Sequence, residues 1–329
     1  MPTSPRDLPV WALAAASLRA ATPVALLCVL RSEGSSPGRQ GFKMAVTAAE
    51  SAGSIGGGIM EHKFVELARL RLREGDSTPL RRPQIHRREA PTDRSGMMCS
   101  GEQDVLLWPL TADDLDTVTA IANALQTGTG GYLALSPATG LRLDSIGNQA
   151  DFAPAETDFY VFHPGPVWHY RERLGFRDRL TIVGGGHVSL ALSKVIAQLD
   201  FELTVLDDRL DLPTLVTNEA AHHRRFVDYE NVAAAIPPGP HQYVVVMTVG
   251  YRSDAVVLQQ LLGLPYRYLG VMGSAAKVTE LRKGLHKAGF LAAEIARLRG
   301  PIGLPIHSQT PEEIAISIAA ELIQQRYRP

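Results

Sequence analysis

The sequence predicts an α/β protein of two domains, and three observations carry that reading. A short strand-like run, Leu180 to Val183, leads through Gly184-Gly185-Gly186 into an apolar helical run starting at His187. A second strand-like run, Phe201 to Leu206, ends in Asp207-Asp208. These acids lie about 20 residues beyond the glycines, the spacing of a dinucleotide-binding βαβ unit. From there to the C-terminus strand and helix patterns alternate, as a parallel sheet with crossover helices requires. The expected fold is a Rossmann-like, doubly wound parallel sheet, preceded by a smaller mixed α+β domain.

The N-terminal elements follow in order. Leu8 to Ala20 reads as a helix and Val24 to Leu30 as a strand. Arg31 to Gly41 is expected to be a loop, because Gly and Pro punctuate it. Phe42 to Thr47 is a strand. Ser54-Ile55-Gly56-Gly57-Gly58 is a second glycine loop, feeding a helix from Met60 to Arg73 whose apolar face holds Phe64, Leu67, Ala68 and Leu72. Gln84 to Arg88 and Gln103 to Trp108 read as strands, Ala112 to Gln126 as a helix, and Thr129 to Ser145 as a hairpin. Gln149 to Arg179 is irregular. The expected domains are residues 1–150 and 179–329, with 151–178 as linker.

In the C-terminal part the strands are Leu180–Val183, Leu203–Leu206, a short one near His223–Phe226, Tyr243–Thr248 and Tyr268–Met272. Thr310-Pro311-Glu312-Glu313 opens the last helix. Thr310 caps it, Pro311 fits its first turn, and Glu313 completes a capping box.

Composition bounds the function. The chain has 329 residues, 45% hydrophobic and 20% charged, with a formal net charge of −1, so no nucleic-acid partner is expected. The apolar stretch from Val10 to Leu30 is broken by Arg19 and Pro23, so no membrane span is expected either. Two cysteines, Cys28 and Cys99, rule out a disulfide scaffold and point to a reducing compartment, the cytoplasm. There is no HExxH, Walker or nucleophile-elbow motif.

Several groups point to ligand chemistry. Gly184 suits a tight turn, and Gly186 leaves room for a phosphate at a helix N-terminus. Ser189 stands where the fingerprint has its third glycine. His187 would touch a phosphate or simply pack the turn. Asp207 or Asp208 would accept from ribose hydroxyls. Gly56, Gly57 and Gly58, near Ser36 and Arg39, would free backbone N–H groups for an anion or merely turn the chain, and Glu61 follows in the first turn of the next helix. Gly273-Ser274 follows a strand, with Lys277 one turn on. Thr248-Val249-Gly250-Tyr251-Arg252-Ser253-Asp254 follows a strand at the sheet's carboxyl edge, where ligands sit, and Asp254 would belong to such a site or only cap the next helix. Cys99, between Met98 and Ser100-Gly101, is a thiolate ligand or a small buried hydrophobe.

Taken together these motifs resemble the XdhC/CoxI family, maturation factors for molybdenum hydroxylases such as xanthine dehydrogenase and carbon monoxide dehydrogenase. The resemblance rests on Gly34-Ser-Ser-Pro37-Gly38, Ser54 to Gly58 with Glu61, and Gly96-Met-Met-Cys99-Ser100-Gly101-Glu102. In the C-terminal part it rests on Val183 to Val188, Val205 to Arg209, Tyr268 to Ser274, Pro301 to Leu304 and Thr310 to Ala315. It implies a chaperone-like accessory protein that binds the pyranopterin molybdenum cofactor, assists its sulfuration or insertion, and forms a homodimer. The implied partner is a xanthine-dehydrogenase-like hydroxylase. The implied cofactor contacts are Ser36, Gly56, Gly57, Gly58, Glu61, Cys99, Gly184, Gly185, Gly186, His187, Asp207, Asp208, Gly273 and Ser274, with Cys99 the implied metal contact. The alternative is an NAD(P)-dependent oxidoreductase using the Rossmann-like domain or another nucleotide there. No catalytic set for it is assignable.

Overall fold

The computed structural model describes residues 3–85, 101–145, 159–209 and 211–327. The chain divides into two compact units, Ser4–Gly175 and Phe176–Pro329, with the first three residues belonging to the second. Among the described residues no helix is long and apolar enough to cross a membrane.

The N-terminal unit begins with α1 (Leu8–Arg19), β1 (Val24–Gly34), β2 (Lys43–Thr47), β3 (Ser51–Gly53) and α2 (Gly58–Glu74). It continues with β4 (Leu80–Ile85), β5 (Gly101–Leu110) and α3 (Leu115–Thr127). Strands β6 (Tyr132–Ser136), β7 (Gly140–Asp144), β8 (Tyr160–His163) and β9 (His169–Arg173) complete it. Two antiparallel sheets result, ordered β3-β2-β1-β5-β4 and β7-β6-β9-β8. β1 alternates its side chains between two cores. Val24, Leu26, Cys28 and Leu30 pack with α1, α3 and the second sheet. Ala25, Leu27 and Val29 face α2 through Phe64, Val65 and Ala68. Burial on both faces explains why β1 reads as an unbroken apolar run.

Three expectations shift. β1 extends to Gly34, so Arg31–Gly34 is strand, because β5 pairs with it to the end, after a register change between Val29 and Arg31. β4, described over Leu80–Ile85, begins before the expected start at Gln84, whose remaining residues His86 to Arg88 lie outside the described residues, and it tolerates Pro83 as the edge strand of its sheet. The stretch over 151–178 contributes β8 and β9, with β9 paired to β6.

A buried ionic cluster joins the two sheets of this unit. Lys43 Nζ donates to Asp7 Oδ2 at 2.7 Å and to Gly41 O at 2.9 Å, and pairs with the buried Glu172, which accepts from the Tyr170 hydroxyl. All three ammonium protons are thereby used. Burial pushes the Glu172 carboxyl up, even with Lys43 and the Tyr170 hydroxyl pulling it down.

The C-terminal unit alternates throughout: β10 (Asp178–Val183), α4 (His187–Ile196), β11 (Phe201–Asp207), α5 (Pro213–Val216), β12 (His223–Phe226), β13 (Gly239–Val246) and α6 (Tyr251–Leu261). β14 (Tyr266–Val271), α7 (Ala275–Lys287), α8 (Ala292–Arg297), β15 (Leu298–Arg299) and α9 (Pro311–Arg326) follow. The sheet is parallel with order β12-β11-β10-β13-β14-β15, the doubly wound arrangement expected. One face is covered by α4 and α9 through Leu192, Ile196, Ile318 and Leu322. The other is covered by α6 and α7 through Val257, Leu258, Val278 and Leu281. The order reverses at β10, whose neighbours are β11 and β13. A crevice therefore opens at the carboxyl ends of these strands. β15, of two residues, is too short for its sequence to announce. Thr310 caps α9 as expected: its hydroxyl accepts from Glu313 N at 3.3 Å.

The imidazole of His222 gathers both ends of this unit's opening segments. Its Nδ1 accepts from Leu203 N at 2.9 Å, its Nε2 lies 2.8 Å from Thr3 O, and the Phe176 ring stands edge-on at 4.7 Å.

Candidate functional site

The glycine turn after β10 is built as the sequence requires. Gly184 has φ +114°, and a Cβ there would lie 2.3 Å from Met247 O, so only glycine lets the turn rest on the end of β13. Gly186 precedes α4 with an extended backbone, and a Cβ built on it meets nothing within 4 Å. No side chain caps this helix. Its first N–H groups and the positive end of its dipole therefore face the crevice, which is the geometry of a phosphate cradle. His187, the first residue of α4, is exposed at this edge. Ser189 fits the third-glycine position fully buried, and its carbonyl accepts from the Ser193 hydroxyl at 2.8 Å.

Asp207 is not an open ribose acceptor. It is fully buried, and Oδ2 accepts from Gly185 N at 2.7 Å. Arg209 closes the rest, with Nε 2.8 Å from Oδ1 and Nη2 2.9 Å from Oδ2. Burial pushes this carboxyl up, but the bonds from Arg209 and Gly185 prevail and hold it below its ordinary value of 3.8. Asp207 thus braces the glycine turn. Asp208 is the exposed carboxylate at this position, and burial and the Asp207 charge raise its pKa. Thr214 adds a second brace, its hydroxyl donating to Gly185 O at 2.5 Å.

A parallel device stands on the other side of the turn. Asp254, fully buried in the first turn of α6, takes Thr248 N at 3.1 Å and the Thr248 hydroxyl at 2.5 Å on Oδ1. Its Oδ2 pairs with the Lys277 ammonium, which also donates to Met272 O at 3.1 Å. Gly273 admits the lysine stem, since a Cβ there would meet Lys277 Cδ at 2.6 Å. Ser274 caps α7, accepting from Lys277 N at 3.2 Å. The two cations, Arg209 and Lys277, are each held by a buried aspartate at the strand ends flanking β10.

The N-terminal glycine loop is organised from within. Glu61 Oε2 accepts from the Ser54 hydroxyl at 2.6 Å, Ile55 N at 2.9 Å and Gly57 N at 3.0 Å, while Gly56 N donates to Ser54 Oγ at 3.1 Å. Burial acts upward on the Glu61 carboxyl, and these hydrogen bonds overcome it, leaving the pKa lowered. The amides expected to await an anion are held by the protein's own carboxylate and by Ser54. The loop packs backbone to backbone on its neighbour: a Cβ on Gly56 would lie 2.3 Å from Gly38 N. Gly38 N donates to Gln103 Oε1 at 3.1 Å, and Ser36, buried, donates to Gly38 O at 2.9 Å. Gly58 opens α2.

Cys99 lies outside the described residues. Cys28 is buried in the core, as its apolar neighbours predict, and burial pushes its thiol far up. Among the described residues no three His, Cys, Asp or Glu side chains gather as metal ligands. The structure brings Gly184 to His187, Asp207 and Asp208 together at one crevice, with Gly273 and Ser274 beside the Lys277 device. Ser36 and Gly56 to Glu61 form a separate cluster in the N-terminal unit. Arg209, Thr214, Gln103 and the Thr248-Asp254-Lys277 set escape sequence reasoning as partners, although Asp254 and Lys277 each follow a strand end that marks them for attention.

Comparison with known proteins agrees with this architecture. Residues 17–82 match the family model described as the XdhC and CoxI family, and residues 180–322 match the one described as the XdhC Rossmann domain. The chain is 27% identical over 307 residues to the uncharacterized protein YqeB of Escherichia coli, covering 92% of this chain and 43% of that protein. It is 29% identical over 157 residues to a Bacillus subtilis protein described as a probable subunit of xanthine dehydrogenase, covering 48% of this chain and 46% of that one. The chain therefore spans less than half the length of these curated relatives. A crystal structure described as a xanthine dehydrogenase from Bacillus halodurans shares the fold, with TM-score 0.66 and 23% identity over 97% of this chain and 96% of that one. With both of its units matched by models of one family, the chain belongs to the XdhC and CoxI family.

Proposed function

We propose that this protein is an accessory factor in the maturation of a xanthine-dehydrogenase-like molybdenum hydroxylase, and that it holds the pyranopterin molybdenum cofactor while assisting its sulfuration or insertion. Family membership and the Bacillus subtilis relative named for xanthine dehydrogenase support the accessory role. The observation that carries the cofactor reading is the open ledge at Gly186, where an uncapped helix N-terminus faces a space that no protein atom within 4 Å of a built Cβ fills. That donor set fits a phosphate group: backbone N–H donors and a helix dipole. Gly186 and the first turn from His187 would hold the phosphate arm, with Gly273 and Ser274 shaping the neighbouring wall. When bound, the cofactor carries the metal whose redox chemistry belongs to the target enzyme. The N-terminal loop, taken by itself, presents no free amides at Ile55, Gly56 and Gly57, since Glu61 and Ser54 occupy them. For the oxidoreductase alternative, both Asp207 oxygens are engaged, which leaves Asp208 as the exposed candidate for a ribose acceptor.

The test is to purify the protein from cells that make the cofactor and to measure bound pterin by fluorescence after oxidation, together with molybdenum. Retention of both is expected, with a loss of about tenfold in Gly186→Val, which fills the cradle. Absence of both, under conditions where an established binder retains them, would sink the reading.

A further inference from the structure

The Rossmann unit has a second concave site, at the other end of its sheet from the glycine turn. A cavity of about 160 Å³ lies against the start of β14, where Gln325 near the end of α9 also lines it. The next residue, Arg326, binds Asp178 at the start of β10, which places this end of α9 at the amino ends of the strands. Three guanidinium groups line the cavity, and no Asp or Glu is among its described lining residues. They come from separate elements: Arg267 from β14, Arg297 from the last residue of α8, and Arg299 from β15. Arg267 Nη2 donates to Gln325 O at 3.2 Å, and Arg297 Nη2 donates to Leu264 O at 3.2 Å and Tyr266 O at 3.4 Å. Neutral carbonyls orient a guanidinium without cancelling its charge. Arg299 is exposed, with no hydrogen bond or ion pair among the described residues. Glu294 and Glu321 are not in the wall, and their carboxylates accept from Leu291 N at 2.8 Å and Gly303 N at 2.5 Å. Arginine keeps its proton at any ordinary pH, so titration cannot relieve the repulsion among the three. A bound anion does.

We propose that this cavity binds a phosphate group, either inorganic phosphate or the end of a small phosphate monoester. Three guanidinium forks outnumber the two oxygens of a carboxylate. A phosphate offers three or four acceptor oxygens and matches the forks two bonds at a time. The volume equals that of about five waters. It admits one tetrahedral oxyanion and falls below the roughly 300 Å³ at which pockets for larger organic ligands begin. A pterin or a nucleoside therefore does not enter it. The bound group ties β15, a strand of two residues, to β14 and to the end of α9. The site is separate from the ledge at Gly186, which lies at the carboxyl ends of the strands, and does not depend on the cofactor reading.

Calorimetric titration of the full chain at fixed ionic strength, with inorganic phosphate, glycerol 3-phosphate and acetate, tests this. The wild type should bind phosphate, with acetate about tenfold weaker or more. Tighter binding of glycerol 3-phosphate identifies a monoester as the source, and tighter binding of inorganic phosphate identifies the free ion. Arg299→Gln should weaken phosphate binding about tenfold and Arg299→Glu should abolish it. Lys283→Gln, the same charge change on the exposed side of α7, should leave the affinity within about twofold. Melting separates a ligand contact from a structural one. Without phosphate Arg299→Gln should melt no lower than the wild type, and phosphate should raise the wild-type Tm but not the variant's. Gly186→Val should leave the Arg299-dependent binding intact, which keeps this site apart from the ledge. No phosphate binding by the wild type would overturn the proposal. So would acetate binding as tight as phosphate, binding indifferent to Arg299→Glu, an equal loss in Lys283→Gln, or binding lost in Gly186→Val.

Discussion

Replacing Lys43 by Met removes the cation at the centre of the buried cluster, and the structure sets the size of the effect. Lys43 is fully buried with its three protons engaged by Asp7, Glu172 and Gly41 O. Without it Glu172, itself 1% exposed, keeps only the Tyr170 hydroxyl and must take up a proton. From an ordinary value of 4.5 that neutralisation costs at most about 3.4 kcal/mol at pH 7 and about 0.7 kcal/mol at pH 5. The lost bonds to Asp7 and Gly41 add about 1 kcal/mol. The destabilisation is therefore bounded at about 4 kcal/mol at pH 7 and about 2 kcal/mol at pH 5, since wild-type Glu172, already raised above 4.5, carries part of the cost itself. The sign follows from a folded-state pKa raised above 4.5: protonated Glu172 suits the folded state, so the penalty shrinks as pH falls. The assay is built in, because Trp11, Trp108 and Trp168 all lie in the N-terminal unit. Tryptophan fluorescence during urea unfolding reports that unit. With a slope of about 2 kcal/mol per molar, the midpoint should drop at pH 7 by an amount between about 0.5 M and about 2 M. Adding Glu172→Gln to Lys43→Met should recover much of the loss. A shift below about 0.5 M at pH 7, or one that does not shrink at pH 5, would refute the reasoning.

Other perturbations discriminate between roles. Gly184→Ala should destabilise the C-terminal unit by about 2–3 kcal/mol, since positive φ and a contact with Met247 O both oppose a Cβ, whereas Gly186→Ala should fold with little change in thermal melting. Lys277→Gln should cost about 1–2 kcal/mol in urea unfolding by leaving Asp254 buried and unpaired, and Asp254→Asn in the same chain should reduce that cost. The lowered Glu61 pKa contributes stability that is present above 4.5 and lost as pH falls below it. Fluorescence-detected melting of Glu61→Gln should therefore be flatter on the acid side than wild type, and parallel curves would count against the anchor role.

What the sequence reveals and what it conceals divide along the range of the interactions. The turn from Gly184 to His187 is legible because strand, glycines and helix lie next to one another, and each reports its conformation locally. The capping box at Thr310 is legible for the same reason. Asp207 is visible as the acid ending β11, but its engagement is not: whether a ribose or Arg209 takes it depends on how the chain turns over the next two residues. Glu61 is visible near the start of α2, yet the direction of its carboxylate follows from backbone angles at Gly56 and Gly57. The pair of Asp254 and Lys277 joins two helices that meet only once β13 and β14 are side by side. Lys43 and Glu172 sit in different sheets, and neither carries a local mark of burial.

The clasp at His222 bears on how the gene product is divided. Thr3 and Phe176 rest on one imidazole, at 2.8 Å and 4.7 Å, so the whole N-terminal unit is spliced into the chain between two points that nearly touch. A bridge of about three or four residues, spanning about 10 Å, is long enough to join Thr3 to Phe176 directly. The Rossmann unit can then be made as one continuous chain without leaving its own packing at that seam, and each unit can be assigned its ligand alone.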